Sequence, residues 1–228
     1  MTRYAIGDIH GGAQTLQALL QRLQLKHDDK LYLLGDYIDR GPDSRGVLET
    51  ILQLLKSGYD VRPVRGNHDD MLLQTVNGYH DDYAWYWMKG WGTETLKSFG
   101  VTNPEEIPVR YLNLLEQMPY LRVDNDFVFV HSGLNLATDD PLHESTPQEM
   151  TWGETGTVDT ARLGGRKLVT GHHPLPLPAV ENSLKSNHIT IDNGAFSYLL
   201  PGYGNLVALN LESMEITLQP WLDIFICR

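Results

Sequence analysis

The sequence of 228 residues has only one cysteine and no long apolar run. Cys227 lies one residue from the C-terminus, so no internal disulfide can form, and this cysteine usage is typical of a reducing compartment. No stretch reaches the length of about 18 apolar residues that a membrane span requires, and no signal peptide pattern follows Met1. We therefore expect a cytoplasmic protein with no membrane partner.

Positive charge is also scarce in this chain. Lysine and arginine total 18 against 29 aspartate and glutamate residues, which gives a formal net charge of -11. Nucleic-acid binding relies on clustered lysine and arginine that displace counterions from phosphates, so we expect no nucleic-acid partner. Divalent cations held by some of the acids would offset part of the negative charge. No sequence feature indicates an oligomeric state.

The N-terminal part of the chain has a βαβαβ pattern. Short apolar strands are predicted at 3–6, 31–34 and 61–64, with amphipathic helices between them. Each strand runs into a polar turn that contains glycine. Because ligands bind outside the carboxyl ends of strands in α/β sheets, we expect these turns to converge at one sheet edge.

The remainder of the chain is predicted to complete a single domain over 1–228, with a helical insert at 79–119. The aromatic run from Tyr79 to Trp91 in this insert favours packing against the sheet, with a recognition role as the alternative. The polar segment 135–166 is predicted to be a long surface loop. Further strands are predicted at 120–123, 127–130, 168–170, 189–192, 206–211 and 216–218.

Five short polar motifs carry the chemistry. The three predicted turns contain Asp8-x-His10, then Asp36-x-x-Asp39-Arg40, then Arg65-Gly66-Asn67-His68-Asp69, while His131 and His172 each follow a later apolar strand. Carboxylate, imidazole and amide ligands favour Mn²⁺, Zn²⁺ or Fe over metals that prefer thiolates. Two such ions about 3.5 to 4 Å apart can clamp the attacking and leaving oxygens of a displacement at phosphorus.

With these motifs in this order, the sequence resembles the phosphoprotein phosphatase family within the calcineurin-like metallophosphoesterases, closest to the bacterial and phage-type Ser/Thr phosphatases. The resemblance implies an α/β (α+β) fold, a four-layer α-β-β-α sandwich with a small helical insert. It also implies two divalent ions, with Mn²⁺ favoured and Fe or Zn as alternatives, and Asp36 as the bridge between them. The implied metal ligands are Asp8, His10, Asp36, Asn67, His131 and His172.

The same resemblance implies roles for residues that hold no metal. His68 would protonate the leaving oxygen, and Asp39 would orient the His68 ring. Arg40 and Arg65 would bind phosphate oxygens as bidentate forks.

Two positions of the family pattern stay open. Relatives usually place another arginine just after the tryptophan that corresponds to Trp152, but Gly153 follows it here. Arg162 or Arg166 is a possible substitute. His173 is predicted either to support the metal ligands from outside or to contact substrate.

The sequence thus predicts a metal-dependent phosphatase that acts on phosphoserine or phosphothreonine in proteins, by in-line attack of a metal-bridging hydroxide. A small phosphorylated substrate is the other possible partner. The third motif ends in Asp69 where most protein phosphatases have glutamate, a form also seen in diadenosine tetraphosphatases. Hydrolysis of dinucleoside polyphosphates at the same dimetal site is therefore the alternative. A non-enzymatic phosphate-binding scaffold would require a broken metal site, whereas all six proposed ligands are present.

Overall fold

The computed structural model describes residues 1–78 and 82–224, in which two β-sheets carry helices on their outer faces. The strands are β1 (Arg3–Ile6), β2 (Lys30–Leu33), β3 (Asp60–Pro63), β4 (Leu121–Val123), β5 (Phe127–Val130), β6 (Lys167–Thr170), β7 (His188–Thr190), β8 (Asn205–Asn210) and β9 (Glu215–Pro220). The α-helices are α1 (Ala13–Leu23), α2 (Ser44–Lys56), α3 (Asn67–Val76), α4 (Asp82–Tyr86), α5 (Thr93–Phe99), α6 (Val109–Glu116), α7 (Pro141–Glu144), α8 (Pro147–Trp152) and α9 (Leu177–Ser183). Within the described residues, no helix is long and apolar enough to span a membrane.

The first sheet has the strand order β3-β2-β1-β8-β9. Strands β1, β2 and β3 are parallel, since a helix crosses over between each consecutive pair. Strands β8 and β9 form an antiparallel hairpin that pairs with β1. The carboxyl ends of β1, β2 and β3 therefore meet at one edge, as the sequence pattern predicts.

The second sheet has the strand order β4-β5-β6-β7. Strands β5, β6 and β7 are parallel, and β4 pairs antiparallel with β5 at the edge. Two of the predicted histidine motifs follow β5 and β6 directly, so they also leave the sheet at the carboxyl ends of parallel strands.

The two sheets pack face to face because alternate residues of each strand point into a shared apolar layer. Tyr32 of β2 stacks on Phe129 of β5 in this layer, with ring centroids 3.8 Å apart. Val207 and Leu209 of β8 lie on the same face of the first sheet. All of these side chains are fully buried.

The residues between these positions point the opposite way, toward the helices. Leu31 and Leu33 of β2 pack in one cluster with α1, α2, α3 and α6, while Val128 and Val130 of β5 pack with Leu163 and other residues that follow β5. Both faces of both sheets are therefore covered, and the predicted four-layer α-β-β-α sandwich is confirmed.

All nine predicted strands are present, with boundaries that differ by up to a few residues. The segment 135–166 differs more from its prediction as a surface loop. It contains α7 and α8, and Met150 and Leu163 are buried against the second sheet. Its few apolar residues were too widely spaced to show a helical period, although they supply the outer layer of that sheet.

Helical elements fill the described part of the predicted insert, whose first residues, including Tyr79, lie outside the described ranges. A π-helical turn at Trp87–Trp91 separates α4 from α5. Trp87 is buried in the core, as the packing interpretation predicts, whereas Trp85, Tyr86 and Trp91 are 43 to 56% exposed. The aromatic run therefore divides into one core residue and an exposed group.

Candidate metal centre

Five loops bring polar side chains together where the carboxyl ends of the two sheets meet. Loops after β1, β2 and β3 of the first sheet contribute four of the predicted ligands, and loops after β5 and β6 contribute the other two. All are buried except His172, which is partly buried. The residues gathered here are Asp8, His10, Asp36, Asn67, His131 and His172.

One cluster of ligand atoms surrounds Asn67. Its Oδ1 lies 2.8 Å from His131 Nε2 and 3.0 Å from His172 Nδ1, and these two nitrogens are 3.1 Å apart. His131 Nδ1 donates to the carbonyl oxygen of Leu34 at 2.7 Å, so Nε2 presents its lone pair to the cluster. Ligand atoms about 2.1 Å from one metal ion and at right angles lie about 3 Å apart. The spacing and chemistry of these atoms therefore fit a divalent cation.

Asp36 lies between this cluster and His10. Its Oδ1 is 3.4 Å from His131 Nε2, and its Oδ2 is 3.4 Å from His10 Nε2. His10 Nδ1 donates to the carbonyl oxygen of Ile38 at 3.1 Å, which again leaves Nε2 free to bind a metal. The two oxygens of Asp36 thus face ligands on opposite sides, as a carboxylate that bridges two ions must.

Buried negative charge accumulates beside His10. Burial raises the pKa of Asp8, and the nearby charges of Asp192 and Asp36 raise it further. Burial and the charge of Asp36 also raise the pKa of Asp192, to about 7. Among residues 1–78 and 82–224, no lysine or arginine forms an ion pair with any of these three carboxylates. Cations bound at the cluster would neutralise this charge.

Burial favours the neutral form of the three candidate histidine ligands. Burial lowers the pKa of His10 and of His131. Burial, followed by the charge of His131, lowers the pKa of His172 to about 3. A neutral imidazole is the form that binds a metal. Two groups of potential ligand atoms share Asp36, one with His10 and His68 and the other with His131 and His172, and this arrangement fits a dinuclear centre.

His68 and Asp39 form a buried pair beside the cluster. His68 Nδ1 donates to Asp39 Oδ2 at 2.7 Å. Asp39 also accepts hydrogen bonds from the Trp87 indole at 2.9 Å and from the Thr95 hydroxyl at 2.5 Å. Burial lowers the pKa of His68, but the charges of Asp36 and Asp39 outweigh this effect and raise it overall. Asp39 can therefore stabilise a proton on the His68 ring, and His68 also lines a pocket that contains His10, Asp36 and Asn67.

Trp87 and Thr95 belong to the helical insert and were not among the predicted site residues. Their separation from Asp39, by 48 and 56 residues, leaves no local sequence signal for these contacts.

Arg40 lies at the mouth of the same pocket, with His68, Asn67 and Phe196 in its wall. Its guanidinium packs over the Phe196 ring, 4.6 Å from the centroid, and its Nη2 lies 3.3 Å from His68 Nε2. The side chain is exposed. This position is suited to binding an anion that enters the pocket.

Arg65, the second predicted phosphate ligand, has a different environment. Its Nη1 contacts Asp70 Oδ1 at 3.1 Å and the Tyr120 hydroxyl at 2.9 Å, while Nη2 donates to the carbonyl oxygen of Glu116 at 2.6 Å. The structure does not bring its guanidinium into the wall of the pocket that Arg40 lines. Attraction to Asp70 and packing over the Tyr120 ring hold the guanidinium in this position.

Neither possible substitute for the missing arginine lines this pocket either. Arg162 donates to the carbonyl oxygen of Thr138, and Arg166 donates to that of Asp124 at 2.8 Å. His173 packs edge-on against His172, and its Nε2 lies 3.5 Å from Ser132 Oγ. Of the two predicted roles of His173, these contacts favour support of the candidate metal ligand His172 over contact with substrate.

Backbone strain is concentrated in these loops. Seven described non-glycine residues have a positive φ, and five of them lie in the motifs: His10, Asp36, Asp39, Arg40 and His172. Each such conformation costs on the order of 1 to 3 kcal/mol and persists only where the surroundings enforce it.

Asp69 supplies part of that enforcement. Its carboxylate accepts hydrogen bonds from the backbone N–H groups of Asp36, Tyr37 and Gly66, at 2.9 to 3.1 Å. The loops after β2 and β3 are thereby fastened to each other. In the sequence, Asp69 was notable only as a departure from the glutamate of the protein phosphatases.

The fold and the paired ligand clusters define a metallophosphoesterase. Residues 1–208 match the profile of the calcineurin-like phosphoesterases, and the chain belongs to this family. The predicted calcineurin-like metallophosphoesterase family is thus confirmed, and with it a hydrolase of a family that uses dinuclear metal sites, whereas the match does not specify the phosphoprotein phosphatase branch.

Relatives with similar sequences indicate which enzymes of the family this chain resembles. The chain is 33% identical to a symmetrical bis(5'-nucleosyl)-tetraphosphatase of Cronobacter sakazakii over 98% of this chain and 75% of that protein. It is also 33% identical to a protein of the same name from Pectobacterium carotovorum, over 66% of this chain. This match spans only 50% of the Pectobacterium protein. These relatives are dinucleoside tetraphosphatases, and not the bacterial Ser/Thr phosphatases that the motifs had suggested.

Solved structures agree on the fold. A protein described as a candidate diadenosine tetraphosphatase superposes with a TM-score of 0.69 and 22% identity, covering 97% of this chain and 94% of its own. A protein serine/threonine phosphatase of Saccharomyces cerevisiae gives 0.65 and 14%, covering 99% and 81%. The fold is therefore shared by enzymes of both predicted substrate classes and does not choose between them.

Proposed function

We propose that this protein hydrolyses dinucleoside tetraphosphates, the alternative that the sequence left open, rather than phosphoserine or phosphothreonine in proteins. The observation that carries the proposal is the 33% identity to a symmetrical tetraphosphatase along 98% of the chain. A symmetrical cut divides the tetraphosphate in its middle and releases two nucleoside diphosphates. The Asp69 form of the third motif also favours this substrate.

The ligand clusters support two divalent ions. We favour Mn²⁺ as the metal because carboxylate, imidazole and amide oxygen supply the donor atoms. Bound ions would supply Lewis acidity and an acidified water for displacement at phosphorus. We assign one ion to Asp8, His10 and Asp36, and the other to Asp36, Asn67, His131 and His172.

Arg40 is proposed to bind oxygens of the phosphate chain. Its exposed guanidinium packs over Phe196 with Nη2 close to His68 Nε2, which places its N–H groups at the pocket where an anion would enter. A strongly acidic chain needs such a local positive charge to admit a polyphosphate. We leave Arg65 out of this role because contact with substrate would break its bonds to Asp70 and Tyr120.

His68 is proposed to donate a proton to the leaving phosphate oxygen. Asp39 fixes the ring through Nδ1, which directs Nε2 into the pocket. The hydrogen bonds from Trp87 and Thr95 keep Asp39 in place, so the helical insert contributes to the orientation of this acid.

The test is a direct comparison of two substrates by the Mn²⁺-loaded protein. We expect a higher kcat/KM for diadenosine tetraphosphate than for a phosphoserine peptide, with ADP as the sole nucleotide product by chromatography. Asp36→Asn is the matched inactive control, because it removes the central ligand with little change in shape. A preference for the phosphopeptide, or release of ATP and AMP, would overturn the proposed reaction.

A further inference from the structure

A row of aromatic rings extends from the pocket toward solvent. Trp91 lines the pocket and stacks on the imidazole of His68, with centroids 5.6 Å apart and planes inclined by 29°. Tyr86 stacks on Trp91 in turn, at 5.8 Å and 22°. Trp85 contacts Tyr86 edge-on at 5.1 Å. The metal centre and the exposed aromatic group are thus continuous.

The exposure of these rings is not explained by packing. Trp87, in the same segment, is 1% exposed and bonded to Asp39, so the segment is already anchored. Trp91, Tyr86 and Trp85 remain 43, 48 and 56% exposed. Large exposed apolar patches beside a pocket commonly mark binding surfaces.

We propose that Tyr86 and Trp91 form a stacking platform for a nucleobase of the substrate, an inference that rests on the proposed function. In a nucleotide, the ribose separates the base from the phosphates. The site has the same order, since Arg40 lies at the pocket and the rings lie outward from it. Both rings are nearly half exposed, and a purine or pyrimidine can stack on exposed aromatic rings without hydrogen-bond readout.

The charge beside the platform agrees with a nucleotide. Lys89 is exposed, and its Nζ lies 5.7 Å from the centroid of the Trp85 ring. It places a cation beside the outermost ring of the row, where its charge favours the approach of an anionic nucleotide. A phosphopeptide is the competing occupant, but it carries no obligatory planar group next to its phosphate.

Binding of ADP and of pyrophosphate to the Mn²⁺-loaded protein tests the platform, because the two ligands share their phosphates and differ in ribose and base. Calorimetry would give both Kd values for the wild type, Tyr86→Ala, Tyr86→Phe and Val109→Ala. Val109 is an exposed apolar residue of the same insert and serves as the control. We expect Tyr86→Ala to reduce the preference for ADP over pyrophosphate about 5- to 150-fold, the range of base–aromatic stacking. Tyr86→Phe keeps the ring and should retain the preference.

Three results would overturn the platform: a wild type that binds ADP no more tightly than pyrophosphate, equal weakening of both ligands by Tyr86→Ala, or, when a phosphoserine peptide is titrated in the same way, a loss by Tyr86→Ala that is confined to this peptide. None of them depends on turnover. A protein that fails to cleave diadenosine tetraphosphate but loses ADP selectivity in Tyr86→Ala would contradict the proposed reaction alone.

Discussion

Replacement of Asp39 by asparagine removes a buried charge while the size of the side chain is kept. Asp39 accepts hydrogen bonds from His68, Trp87 and Thr95 through its two oxygens. Asparagine has only one side-chain oxygen, so at least one of these buried donors would face an N–H group instead. The His68 ring then loses the negative charge of Asp39 and the charged acceptor of its Nδ1 hydrogen bond.

The size of the effect follows from these contacts. A hydrogen bond to a charged group contributes about 1.5 to 3 kcal/mol, and one pKa unit corresponds to about 1.4 kcal/mol. The charge of Asp39 helps to raise the pKa of His68, so its removal should lower that pKa. Protonated His68 is the proposed donor. The alkaline limb of the kcat/KM profile should therefore move to lower pH.

Phenyl phosphate serves as a test ester with a poor leaving group. At pH values above the alkaline limb, its turnover should fall by about 10²- to 10⁴-fold, the usual contribution of a general acid. p-Nitrophenyl phosphate should lose much less, because its leaving group needs little protonation. The assay is the pH dependence of kcat/KM for both substrates, together with metal analysis, which should show unchanged metal content. Equal losses for the two substrates, or an unmoved alkaline limb, would refute the assignment of His68 and Asp39.

Asp36→Asn should abolish turnover and reduce the content of both ions, measured by elemental analysis; near-normal turnover with both ions bound would refute the bridging role. Gly66→Ala should also lower metal content, because a Cβ at Gly66 would lie 2.3 Å from Asp36 Oδ1, whereas Gly156→Ala, at an open position, should not. Arg40→Lys should raise KM for diadenosine tetraphosphate more than it lowers kcat, since it replaces a bidentate fork by a single ammonium; a change in kcat alone would contradict a binding role. Dialysis against a chelator should remove turnover, and Mn²⁺ should restore it; activity that persists without metal would refute the mechanism.

Local sequence pattern was enough to predict the strands and the sheet edge at which the candidate ligands gather. Each ligand motif begins within a few residues of a strand end, and the direction of a parallel strand determines which edge its loop joins. Asp8 and Asn67 are far apart in the chain, but both follow parallel strands of one sheet. Their meeting required no knowledge of side-chain packing.

Local sequence pattern could not predict the direction in which a long side chain points. Arg65 lies in a motif, but its orientation depends on Tyr120, which is 55 residues away, and on Asp70. The support of Asp39 by Trp87 and Thr95 is likewise a tertiary contact. Substrate class was also underdetermined, because the ligand motifs are common to both predicted substrate classes and only Asp69 pointed to the tetraphosphatases.

The candidate ligands come from both sheets, and this origin links cation binding to the cohesion of the molecule. Asp36 approaches His10 from its own sheet and His131 from the opposite sheet. Ions that occupied the centre would act as a cross-link between the two sheets, and a folded state that binds them at 100 times their Kd would gain about 2.7 kcal/mol. Depletion of the cations would then weaken the packing of one sheet on the other, in addition to stopping catalysis.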